Sequence, residues 1–183
     1  MLEVVRKHLC KHVSVLPEAA SIVFGGGFPR GDTDLERRAG QCAIYQVQRQ
    51  LERIAVESND FAIALCDRGT IDGLAYWPGT DDTYFSEVGS SKQAELSRYA
   101  AVIHLRTPSA ERGYDHSNPV RLESAMQAAA VDERILQAWM EHPRRVVIDS
   151  STTLLDKLVK AVDALRAELP PCCRKHRMPE VES

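Results

Sequence analysis

Apolar positions along the chain come in two rhythms. Short continuous runs alternate with longer stretches whose apolar residues recur every three or four positions. That alternation predicts an α/β fold built on a parallel sheet. Met1 to Lys11 carries Leu2, Val5 and Leu9 at helical spacing, and His12 to Leu16 reads as a short strand closed by Pro17. A long helix is predicted from about Leu35 to Val56, with Ile44, Val47, Leu51, Ile54 and Ala55 on one face. Phe61-Ala62-Ile63-Ala64-Leu65-Cys66 is nearly continuous apolar sequence, as expected of a strand buried on both faces. Residues 78–91, rich in Gly, Asp, Ser and Pro, read as a loop or mobile segment. Ala100 to Leu105 forms the next strand. Asn118-Pro119 opens a helical region that runs to about Glu141, by an N-cap asparagine and a proline in the first turn. Arg145 to Ile148 is the last strand, and Thr152 to Leu169 an amphipathic helix through Leu155, Leu158, Val162 and Leu165. One domain over 1–169 and a disordered tail over 170–183 are expected, with no internal repeat.

Composition narrows the function classes. The 183 residues are 44% hydrophobic and 27% charged, with a net charge of −3 and a pI near 6.1. A globally basic nucleic-acid binder is not expected. No apolar run reaches the ~18–20 residues of a membrane span. The charged N-terminus, Met1-Leu2-Glu3-Val4-Val5-Arg6-Lys7-His8, lacks the apolar core of a signal peptide. Five cysteines do not make a disulfide framework, and Cys172-Cys173 with His176 falls short of the four spaced ligands of a structural zinc site. A reducing, cytoplasmic setting is the expectation.

In open α/β sheets, ligands bind outside the carboxyl ends of the strands. That rule selects Pro17-Glu18, Asp67-Arg68 and Thr107-Pro108. An acid directly after a buried strand can orient magnesium, and the planar fork of Arg68 suits a phosphate. A structural salt bridge or a helix N-cap by Asp67 is the alternative. Tyr76 and Trp77 read as packing residues, and Asp72 as a carboxylate favouring the helix start that follows it.

Leu16-Pro17-Glu18-Ala19-Ala20-Ser21, followed by Cys66-Asp67-Arg68-Gly69-Thr70-Ile71-Asp72-Gly73-Leu74-Ala75-Tyr76-Trp77-Pro78, resembles the NadR-type AAA-like ATPase family. That family belongs to the P-loop NTPases and is close to the thymidylate-kinase-like nucleotide kinases. The resemblance extends from Met1 to about Leu169. It implies a three-layer, five-stranded parallel sheet flanked by helices, binding ATP and Mg²⁺ and a small-molecule acceptor. Asp67 would be the Walker B-like acid acting on magnesium, Arg68 a phosphate-binding arginine, and Glu18 an acid near the acceptor or metal. The span from Arg112 to Arg144 would form a lid, with Arg121 and Arg134 closing over the ATP phosphates unless they are only solvated helix charges. Ser150-Ser151 would lie near the adenine.

One departure is large. The motif G-x-x-x-x-G-K-[ST], whose amides cradle phosphate, occurs nowhere in the sequence. Gly25-Gly26-Gly27-Phe28 lacks the lysine and hydroxyl and reads as a flexible loop near the acceptor site. Met1 to Lys11 matches the helix that follows the family's phosphate loop. The first strand and the loop are therefore expected to be absent, leaving their neighbours in the sheet with exposed edges. An N-terminally incomplete kinase-like ATP-binding protein, which in its complete form would transfer a phosphoryl group to a small molecule or hydrolyse ATP and which as given binds ATP weakly or not at all, is the first expectation. A non-catalytic nucleotide- or anion-binding regulatory module, using Glu18, Arg30 and Arg68, is the second. A contact of Arg174-Lys175-His176-Arg177 with anionic lipid or nucleic acid is a third, set against a solvated tail. The acceptor and the oligomeric state stay open.

Overall fold

The computed structural model describes residues 12–58, 60–107, 125–149 and 154–171. The expectations on Met1–Lys11, Cys10, Arg112, Asn118-Pro119, Arg121, Ser150-Ser151 and the segment from Cys172 onward lie outside those residues.

Four strands form two sheets. β1 (Val13–Leu16) pairs in parallel with β2 (Ile63–Cys66), with Val13 opposite Ile63 and Leu16 opposite Cys66. β3 (Val102–Leu105) pairs in parallel with β4 (Arg145–Ile148), with Val102 opposite Arg145 and Leu105 opposite Ile148. The five-stranded sheet implied by the resemblance is not what the described residues form: they make two sheets of two strands each. Each of β2 and β3 pairs on one side only among these residues. Ala64, inside the apolar run that predicts burial on both faces, is exposed.

Between the strands lie α1 (Ala19–Gly25), α2 (Asp34–Glu57), a 3₁₀ segment (Thr70–Tyr76), α3 (Asp81–Val88), α4 (Lys92–Leu96), α5 (Ala125–Ala138) and α6 (Leu154–Glu168). The long helix α2 starts at a complete capping box: Thr33 Oγ1 accepts from the Glu36 amide, and Glu36 reaches back to the Thr33 amide. Asp34 and Glu36 in its first turn favour the positive end of the helix dipole.

The segment read as a loop over 78–91 holds helix α3. Thr80 caps its N-terminus, Asp81 and Asp82 occupy the first turn, and Gly89 ends it at φ +69°. Tyr84, Phe85 and Val88 bury against Tyr45 and Trp77. Polar residues that read as turn formers are thus the caps of a short buried helix.

Side-chain alternation along the strands assigns the layers. Val13, Ile63, Leu65 and Ile103 pack on Val162, Leu165 and Leu169 of the α6 segment. The opposite face meets α2, the 3₁₀ segment and α5, where Ile71, Ala75, Leu96, Val131, Ile135 and Trp139 form a closed apolar cluster. Ile71 is 0% exposed at its centre. Ile71→Ala is expected to lower the unfolding free energy by about 2–5 kcal/mol, because the cavity has no room to collapse. Urea denaturation of the two proteins checks this.

Candidate functional site

The carboxyl ends of β1 and β2 lie side by side, because Leu16 and Cys66 are register partners. The residues that follow those strands therefore meet. Pro17 breaks β1, and Glu18 begins α1 in an extended conformation. Its carboxylate Oε2 accepts from Ser21 Oγ at 2.5 Å. After β2 the chain turns through Asp67-Arg68-Gly69 into the 3₁₀ segment. Arg68 Nε stands 4.0 Å from Glu18 Oε1, and Arg68 Nη1 stands 3.7 Å from Asp72 Oδ2. Both are loose ion pairs rather than hydrogen bonds, so the donor fork of Arg68 is not consumed by them. Asp67 is exposed beside it.

Asp72 is held more tightly. Trp139, just past α5, donates from Nε1 to Asp72 Oδ1 at 2.5 Å. Burial pushes the Asp72 carboxyl above the ordinary aspartate range, against the pull of Arg68 and the Trp139 hydrogen bond. The turn itself is gripped at Thr70 on all its polar atoms. The Thr70 amide donates to Tyr99 Oη at 2.8 Å, its carbonyl accepts from Tyr84 Oη at 2.6 Å, and its hydroxyl donates to Glu95 at 2.8 Å. Gly69 admits this arrangement because a Cβ there would lie 2.4 Å from Trp139 Cζ2.

Behind the turn sits a buried polar cluster. Glu95, 1% exposed, accepts from Tyr45 Oη at 2.8 Å and Ser90 Oγ at 2.6 Å as well as from Thr70. Glu52 accepts from Gln48 and from Tyr99, and Arg98 bridges Glu52 to Glu95. Burial raises the Glu52 carboxyl, opposed by the Gln48 and Tyr99 hydrogen bonds. Cys66 packs against Glu52, and burial first and that carboxylate second push its thiol up to about 12.

A second cluster lies where β3 ends. His104 Nε2 is 3.0 Å from Asp132 Oδ1, Arg106 Nε is 2.9 Å from Asp132 Oδ2, and the Thr107 amide reaches the same carboxylate at 3.3 Å. Burial would raise the Asp132 carboxyl, but hydrogen bonding to His104, the His104 charge and Arg106 together hold it below the usual aspartate range.

Of the residues singled out from sequence, Glu18 and Arg68 come together and Asp67 borders them. Arg30 is exposed and stacks over Phe24, its guanidinium carbon 5.2 Å from the ring centroid. Arg134 is exposed on α5. Gly25, Gly26 and Gly27 close α1, with Gly27 at φ +90°. Tyr76 packs against the Ile71 cluster and Trp77 is buried beside Tyr84, as their packing role requires. Sequence reading missed the Asp72–Trp139 contact and the His104–Asp132–Arg106 cluster. The signal for the latter was available, since His104 interrupts an otherwise apolar strand.

The donor set fits magnesium in one mode. Among the described residues no group of three or more His, Cys, Asp or Glu side chains could hold a metal. A single exposed carboxylate such as Asp67 suits Mg²⁺ that keeps its waters and is completed by phosphate oxygens. No helix among the described residues is long and apolar enough to cross a membrane.

Residues 4–157 match the family described as AAA domain. No curated protein sequence matches the chain.

Gly69→Ala is expected to displace Trp139, change its fluorescence and destabilise the fold by about 1–3 kcal/mol. Equilibrium unfolding followed by tryptophan emission measures both effects. Because the Cys66 thiol stays protonated well above neutral pH, its peptide should remain unlabelled by a thiol reagent at pH 8 in the native protein. Peptide mass analysis should find that label only after denaturation.

Proposed function

Because the chain belongs to the AAA domain family, a P-loop NTPase-type family whose nucleotide-binding, ATPase-like function it is expected to share, we propose that it is a NadR-type, kinase-like member that engages the phosphates of ATP at the carboxyl ends of β1 and β2. The observation that carries the reading is the meeting of Glu18 and Arg68 across paired strands, with Asp67 exposed beside them.

Phosphoryl transfer asks a protein mainly for positioning and for charge at the transferring group. Arg68 meets the second demand: its guanidinium is half-buried, charged at every working pH, and its fork is free to take a phosphate bidentately. Glu18 meets the first. Ser21 fixes one of its oxygens, so the other is aimed at the space shared with Arg68, where it can orient an acceptor hydroxyl or take its proton. Asp67 would hold Mg²⁺ through water. Bound there with ATP, the ion would neutralise phosphate charge that three neighbouring carboxylates otherwise oppose. A small-molecule acceptor and kinase-type chemistry are parts of this proposal, with Arg121 and Arg134 over the phosphates and Ser150-Ser151 near the base.

The absence of G-x-x-x-x-G-K-[ST] from the sequence favours a second reading, a nucleotide- or anion-binding module without turnover. It also predicts weak affinity, since the backbone amides of that loop supply most phosphate contacts.

Titration with ATP and Mg²⁺, followed by amide chemical shifts, is expected to perturb Asp67 to Thr70 with millimolar affinity. The Mg²⁺-dependent part of that affinity should vanish in Asp67→Asn. A micromolar Kd would overturn the weak-binding expectation, and no response at Asp67 to Thr70 would sink the site assignment.

A further inference from the structure

Asp72 has no role in the reading above, yet it is the most constrained carboxylate near Arg68. It lies one turn after Arg68, so both belong to the same tight segment, and its two oxygens are used differently. Oδ1 is fixed by Trp139 Nε1 at 2.5 Å, while Oδ2 faces Arg68 Nη1 at 3.7 Å. Trp139 is itself immobilised. It is 3% exposed, crosses Tyr99 edge-on with ring centroids 5.0 Å apart, and presses on the Gly69 backbone. The indole therefore fixes the carboxylate plane, and the carboxylate fixes the side from which the guanidinium is attracted. Arg68 is flanked by Glu18 on its Nε edge and by Asp72 on its Nη1 edge. A long side chain with four rotatable bonds loses less freedom on binding if its charge is already steered.

We propose that Asp72, clamped by Trp139, is the positioning residue that sets Arg68 to receive a phosphate group at the carboxyl ends of β1 and β2. The ligand class, an anion with phosphate oxygens, rests on the function proposed above; the clamp does not. The arrangement ties the segment after α5 to the turn after β2, so that the two present one rigid face to the ligand.

The test reads the clamp and the ligand separately. Arg68 Nε–H relaxation is measured by NMR in the whole chain without ligand, in wild type, Asp72→Asn and Trp139→Phe. Asp72→Asn keeps the shape and an acceptor for Trp139 but removes the charge. The Arg68 order parameter is expected to fall below about 0.6 in Asp72→Asn, and to fall part of the way in Trp139→Phe. Thermal unfolding of each variant identifies any general loosening, since a merely structural residue would alter the melting temperature and leave Arg68 ordered in the folded fraction. An Arg68 side chain equally ordered in wild type and Asp72→Asn overturns the proposal.

Inorganic pyrophosphate with Mg²⁺ is the ligand probe. Asp72→Asn is expected to weaken its binding about tenfold, and Arg68→Gln at least as much. Pyrophosphate binding unchanged in Arg68→Gln would refute the phosphate role of Arg68, and the relaxation arm would still decide for or against the clamp. Binding unchanged in Asp72→Asn alone, with Arg68→Gln impaired, overturns the positioning role.

Discussion

Everything near the site depends on how one buried carboxylate is satisfied. Glu95 is almost wholly removed from water, and an unpaired charge there would cost several kcal/mol. It is instead surrounded by hydroxyls of Tyr45, Thr70 and Ser90 and by the guanidinium of Arg98. Those partners come from α2, the 3₁₀ segment, the α3–α4 connection and the turn after α4. Four pieces of chain are thereby held to a common point, and Thr70 is one of them. Because Thr70 follows Asp67-Arg68-Gly69 directly, satisfying Glu95 also fixes the turn that carries the candidate chemistry. Core polarity and site geometry are one constraint.

The β2 turn concentrates opposite charges in a small volume. Arg68 is the positive member of a group with Glu18, Asp67 and Asp72, so the cluster carries an excess of negative charge. On the proposed reading such a group would discriminate by what accompanies an anion, because a bare phosphate would meet repulsion and a cation-bound phosphate would not. The same reasoning separates the shielded carboxylate from the exposed one: Asp72 faces protein, Asp67 faces solvent.

How legible this was depended on the range of each interaction. Strands and long helices follow local periodicity, and β1, β2, β3, β4, α2 and α6 all begin and end within a few residues of the pattern. Glu18 and Arg68 could be placed near each other because both follow strand ends, and parallel pairing aligns those ends. Helix α3 was hidden because Thr80, Asp81, Asp82 and Gly89 look like turn residues in isolation; they are caps only once Tyr84 and Phe85 find a core. The Asp72–Trp139 bond spans 67 positions, and no local spacing encodes it. His104 and Asp132 are likewise brought together by α5 folding back on β3. Arg30 stacks over Phe24 along its own loop, a contact that the rule of strand carboxyl ends does not encode.

Helix α6 has a consequence for the order of folding. A two-stranded sheet is marginal alone in water. Here Leu165 and Leu169 rest on Val13, Ile63 and Leu65 of one sheet and on Ile103 of the other. The element that spans both sheets thus leaves the ribosome after all four strands. Until it emerges, the earlier strands have no floor, and their apolar faces stay open to water or to a chaperone. The piece that closes the core is made only after the strands it covers.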